Sequence, residues 1–239
     1  MRFPPLTPVV RTLLLIFLAS FVAQLVSDVW LSGRLYELLA LSVYPGQPRL
    51  ANLWQVVTYP FAQIPGPQGV SSFLFSGFFF YWIVASFEER HGRRWTLRVL
   101  GMSLVGASLP ALAVGFVVGG RLSGFSFLTF GVLAAGVWMA RILRQRIALF
   151  GQWEMTPTQL LLLFVALPVL EFLATKNALL LVADLGALGA GILFVELLSR
   201  PKDDGGSSRP RKPSGARKNP HGLRAIKGGK DEDPPGWLN

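Results

Sequence analysis

Residues 177–199 read NALLLVADLGALGAGILFVELLS. As a helix rising about 1.5 Å per residue, this block is long enough to cross a hydrocarbon core of roughly 30 Å. No water is present at that depth, so every backbone N–H and C=O must be satisfied within the segment, and helix is the only reading. The block carries an ionisable residue, Asp184, about eight residues in. A charged group inside a span is costly and marks a functional position by default. Small residues follow it. Ala187 and Gly191 are four apart and share a helix face with Asp184 close by. Small residues at that spacing let two helix backbones approach closely.

Working outward, the same kind of block recurs. Apolar spans are expected at about 9–31, 70–87, 97–118, 124–143, 157–174 and 177–199. Between the first two lies a broken, semi-apolar stretch, about 35–64, punctuated by Pro45, Pro48 and Pro60. The chain is 51% hydrophobic and only 15% charged, against about 25% charged for an ordinary soluble domain. The fold class is all-α: a polytopic membrane protein with six transmembrane helices. Residues 1–199 form the membrane domain. From Pro201 onward Gly, Pro, Ser, Lys and Arg dominate, so 200–239 is expected to be a disordered tail. The first apolar run is too long for a signal-peptide core and five more spans follow it.

The formal charge of +10 invites a nucleic-acid reading, but its distribution argues otherwise. With the N-terminus inside, nineteen of the 23 Lys and Arg fall in inside segments, and only Arg34, Arg49, Arg121 and Lys176 fall outside. That is the pattern that orients membrane proteins. Both termini are expected on the cytoplasmic side, the tail has a loose attraction for anionic lipid, and no nucleic-acid partner is needed. Absence of an evident targeting segment favours a bacterial inner membrane. Cysteine is absent, and the two histidines, His91 and His221, lie in basic polar surroundings. Neither a metal nor another cofactor is expected.

Other acids in the spans, Asp28, Glu171 and Glu196, lie near span ends and read as interfacial carboxylates. The fourth span opens Ser123-Gly124-Phe125-Ser126-Phe127, in which a serine beside a glycine is ordinary as a helix cap.

Four short blocks, in this order and spacing, resemble the rhomboid family of intramembrane serine proteases. Trp54-Gln55-Val56-Val57-Thr58 is similar to the Trp-Arg block of the family's first loop. Phe87-Glu88 with Gly92 resembles the Leu-Glu…Gly block that ends span two. Gly124-Phe125-Ser126, with Gly131 beyond, resembles the Gly-x-Ser-Gly block of span four. Asp184, Ala187 and Gly191 fall where the family has His-x-x-Gly-x-x-x-Gly in span six.

The resemblance implies a nucleophile at Ser126, a proton acceptor at position 184, and oxyanion donors at Ser72 and Ser76, counted back from Glu88. It also implies a lateral groove for a transmembrane segment, around Ser126 and Asp184. Gly124, Phe127, Ala187, Gly191 and Trp54 are its candidate groove residues. The departures are as telling. The acceptor is an acid, the oxyanion pair are serines, Phe127 replaces a glycine, Gln55 replaces an arginine, and no span offers a histidine. Serine is a poor nucleophile without an adjacent base. Burying an unpaired carboxylate charge is costly, and a neutral acid cannot accept a proton. Three functions stay open to the sequence. The favoured one is an inactive rhomboid-like pseudoprotease that binds transmembrane or membrane-anchored client proteins. A second is an intramembrane endopeptidase using Ser126 with Asp184, and a third is an unrelated transporter or structural membrane protein.

Overall fold

A computed structural model describes residues 4–44, 54–145, 147–149 and 153–199. The expected tail, Pro45, Pro48 and Arg49 lie outside the described residues.

Helix α1 (Pro8–Gln24) opens on a proline, whose missing N–H is one the first turn leaves unpaired in any case. It continues as a π-helical turn over Leu25–Trp30, so that Pro8–Trp30 makes one span. The expected broken stretch contains α2 (Leu35–Leu39), strand β1 (Leu41–Val43), α3 (Gln55–Thr58) and a 3-10 turn (Tyr59–Phe61). Four longer spans follow: α4 (Pro67–His91), α5 (Arg93–Val118), α7 (Pro157–Thr175) and α8 (Ala178–Ser199). Among the described residues, five helices are thus long and apolar enough to cross a membrane. The sixth, α6 (Ser126–Ile142), is equally apolar but only 17 residues long.

Helices α4 and α5 extend past the apolar core of each span into polar ends, reaching His91 and starting at Arg93. Gly92, at φ 82°, makes the turn between them, a backbone angle that favours glycine. Strand β1 pairs antiparallel with β2 (Gly120–Leu122), which tethers the first loop to the segment leading into α6. A hairpin, β3 (Ile147–Leu149) with β4 (Trp153–Met155), joins α6 to α7.

Helix α8 is the central element, packed most extensively against α5 and α6. Its small residues form two seams. Gly186 and Ala190 face Gly106 of α5, and Ala187 and Gly191 face Gly131 of α6. Lipid tails are as apolar as leucine, so close backbone packing of this kind, rather than water exclusion, holds such helices together. The fourth and sixth spans therefore do lie side by side.

The end acids take up structural bonds. Asp28 accepts from the backbone N–H of Leu35 (2.7 Å) and Tyr36 (2.8 Å), capping the start of α2. Glu196 accepts from the Trp138 indole N–H at 3.0 Å. Glu88 is buried and accepts from the Val9 N–H at 3.3 Å, at the positive end of the α1 dipole.

Candidate functional site

The backbone entering α6 is held from three directions. Gly124 adopts φ 93° and donates its N–H to the carbonyl of Ala62 at 2.7 Å. The next residue, Phe125, is fully buried and stacks on Phe17 of α1 with ring centroids 4.3 Å apart. It meets Phe80 of α4 edge-on at 5.6 Å. Phe127 stacks on Tyr59 at 4.8 Å. Aromatic pairs in these geometries contribute beyond their buried area, so Ser126 sits between two anchored rings.

Ser126 is the first residue of α6, and the cap position belongs to Phe125. No side chain caps α6, so neither Ser123 nor Ser126 takes the capping role that is ordinary for a serine there. The sequence also put Gly124 inside the span, whereas its positive φ ends the loop before the helix starts.

Ser126 opens onto a cavity of about 460 Å³. Ser72 and Ser76, one turn apart on α4, line the same cavity, as do Gly124, Gln63 and Glu171. Four of the residues singled out from the sequence therefore meet in one place. Five do not line it. Trp54 is 44% exposed at the start of α3. Phe127 is buried against Tyr59. Ala187 and Gly191 are buried in the α6–α8 seam. Asp184 is 1% exposed on α8, off the cavity wall.

Neither carboxylate oxygen of Asp184 has a hydrogen-bond partner among the described residues, so it makes no bond to Ser126. The nearby polar groups already pair with one another. Ser108 donates to the Tyr59 phenol oxygen at 3.3 Å and to the Leu104 carbonyl at 2.6 Å. Burial pushes the Tyr59 pKa up, so the phenol stays neutral. His91 lies at the opposite end of α4, bonded through Nδ1 to the Phe87 carbonyl at 3.1 Å.

Glu171 and Gln63 are cavity residues that the sequence reading did not place in the site. Glu171 was read as an interfacial carboxylate, and its position in the last turns of α7 brings it to the cavity wall. Gln63 gave no sequence signal, because nothing in Tyr-Pro-Phe-Ala-Gln (59–63) marks one amide as special. Gln55, standing where the family has an arginine, has a structural task. It is buried and accepts from the Ser42 N–H at 3.1 Å, and it donates to the carbonyls of Glu37 and Leu38 at 3.4 and 3.3 Å. It binds α3 to β1 and α2.

A bundle of apolar helices around a polar cavity, reached at the start of a short helix, defines a multi-pass integral membrane protein with an internal site. The family model of the Rhomboid domain matches residues 50–201, more than half of the chain. The chain belongs to the rhomboid family. No curated protein sequence matches it.

Proposed function

We propose that this chain is an inactive rhomboid-type protein that binds a transmembrane or membrane-anchored client segment at the cavity around Ser126. One observation carries the reading: the acid in the proton-acceptor position, Asp184, is buried, has no partner among the described residues and is not bonded to Ser126. Without a base that reaches the hydroxyl, serine attack on a peptide carbonyl loses orders of magnitude in rate. Ser72 and Ser76 still line the cavity, but neutral hydroxyls there bind an acceptor without supplying a proton acceptor. What persists is a preformed polar cavity at the end of the bundle where α4, α6 and α8 begin. The distribution of Lys and Arg favours placing that end outside and both termini in the cytoplasm, as in a bacterial inner membrane. The basic tail then meets anionic lipid or a cytosolic partner.

The test has two arms. Purified chain is incubated with a serine-directed fluorophosphonate probe and a generic single-span substrate. Neither labelling of Ser126 nor cleavage is expected. Labelling that vanishes in Asp184→Asn would establish the endopeptidase instead. In cells, a photoreactive residue at Ser72, exposed on the cavity wall, is expected to trap a reproducible membrane-protein partner. A blank in that experiment rejects client binding.

A further inference from the structure

Gln63 is held in place by its backbone. Its N–H donates to Gln24 Oε1 at 2.8 Å, and Gln24 is fully buried on α1. Gln24 Nε2 in turn donates to the Phe61 carbonyl at 2.7 Å and the Ser20 carbonyl at 3.0 Å. From the other side the Gly124 N–H bonds the Ala62 carbonyl. Residues 61–63 are thereby tied both to α1 and to the turn that enters α6.

The Gln63 side chain contrasts with this. It is only 7% exposed, it lines the cavity, and its Nε2 is buried without a partner among the described residues. No hydrogen bond engages its Oε1 among the described residues either. A Cβ added to Gly124 would stand 3.7 Å from Nε2 and 3.8 Å from Oε1, so the amide lies beside the turn before Ser126. Its neighbours differ: Gln24 and Gln55, the other buried amides nearby, both donate and accept. An amide left unpaired in a buried place is costly.

A primary carboxamide carries a donor and an acceptor. So does a peptide group, with its one N–H and one C=O. Within a helix those groups are already paired, but the first four N–H and last four C=O groups of any helix are not. We propose that Gln63 is the anchor of the client site: its amide pairs with a backbone peptide group of the client where the client's helix ends, beside Ser126. This rests on the client-binding reading above and assigns its recognition chemistry. The ligand is defined by unpaired backbone and not by a particular side chain. Ser72 and Ser76, across the cavity, offer further hydroxyls to the same segment.

The experiment uses the full chain in nanodiscs. The probe is a synthetic single-span peptide whose helix runs into a short extended segment, and its affinity is read by fluorescence. Three proteins are compared: wild type, Gln63→Leu and Gln63→Asn. A matched probe carries one ester in place of an amide in the extended segment. Wild type is expected to bind the amide probe about tenfold more tightly than Gln63→Leu, the loss of about 1.4 kcal/mol. Gln63→Asn, with the same chemistry, recovers part of the affinity. The ester probe loses affinity for wild type and not for Gln63→Leu. The Gln63 N–H bond to Gln24 is made by the backbone, so neither substitution is expected to lower the melting temperature, and Gln63→Leu, which removes the unpaired amide, is expected to hold or raise it. Equal binding by wild type and Gln63→Leu overturns the Gln63 assignment and leaves client binding standing. Failure of wild type to bind either probe overturns both. A Gln63 side-chain resonance that shifts between ester-linked and ether-linked lipids, without peptide, assigns the amide to a lipid carbonyl and also overturns the proposal.

Discussion

The Ala187 carbonyl oxygen of α8 lies 3.2 Å from where a Cβ on Gly131 of α6 would stand, and Ser103 of α5 lies closer still. Three helices meet at a point that has no room for a methyl group. Gly131→Val is therefore expected to lower stability by about 1–3 kcal/mol or more through overpacking. Gly189→Ala, on the same α8 helix but with nothing within 4 Å of the added carbon, is expected to be neutral. Reversible unfolding in mixed micelles reads both. An equal effect of the two changes would contradict the close α6–α8 seam.

Among the described residues Gln24 supplies the only hydrogen-bond acceptor for the Gln63 N–H, while the Phe61 carbonyl keeps a second donor in Ser20 at 3.0 Å. Gln24→Leu thus orphans one buried N–H, at a cost of about 1–3 kcal/mol. Hydrogen exchange at Gln63 is expected to quicken much more than exchange in the middle of α5. If Gln63 exchange were unchanged, the tie between α1 and the cavity loop would be wrong.

Asp184 gains nothing from its carboxylate, since both oxygens are buried and have no partner among the described residues. Asp184→Leu is expected to hold or raise stability, by up to about 1–3 kcal/mol, because it removes an uncompensated polar group. Melting temperature in detergent is the readout. A clear drop would mean that the acid has a partner and a structural task.

Asp28 caps α2 with two backbone hydrogen bonds. Asp28→Ala is expected to cost about 0.5–2 kcal/mol, within the range of lost caps. Its effect should be local. Tyr36, whose N–H it holds, lies 3.3 Å through its hydroxyl from Ser123 Oγ at the cavity. Proteolysis near α2 should accelerate, and stability of the α5–α8 pair should not change.

Legibility followed physical scale. A membrane span is dictated by apolar length, and the blocks around Asp184 and along α5 and α7 could be read from one sequence. Ser72, Ser76, Gly124 and Ser126 were reachable only through the resemblance, whose motif spacing carries over to these positions. What a glycine or alanine faces is a tertiary matter. Ala187 and Gly191 were read both as a close helix contact and as groove residues, and they lie in the α6–α8 seam, because close approach and open space ask for the same small residues. Phe127 was read the same way, yet it is buried against Tyr59, which lies 68 positions back in the chain. Gln63 was invisible for a related reason. Whether an amide is paired depends on Gln24 and Gly124, which lie far from it in sequence and beside it in space.

The 17 residues of α6 rise about 26 Å, some 4 Å less than a hydrocarbon core of about 30 Å. Its neighbours α4, α5, α7 and α8 cover α6, and no residue from Ser126 to Ala140 is exposed. The shortfall is therefore made up by the protein's own helices and not by the bilayer, so a change of acyl-chain length should leave α6 undisturbed.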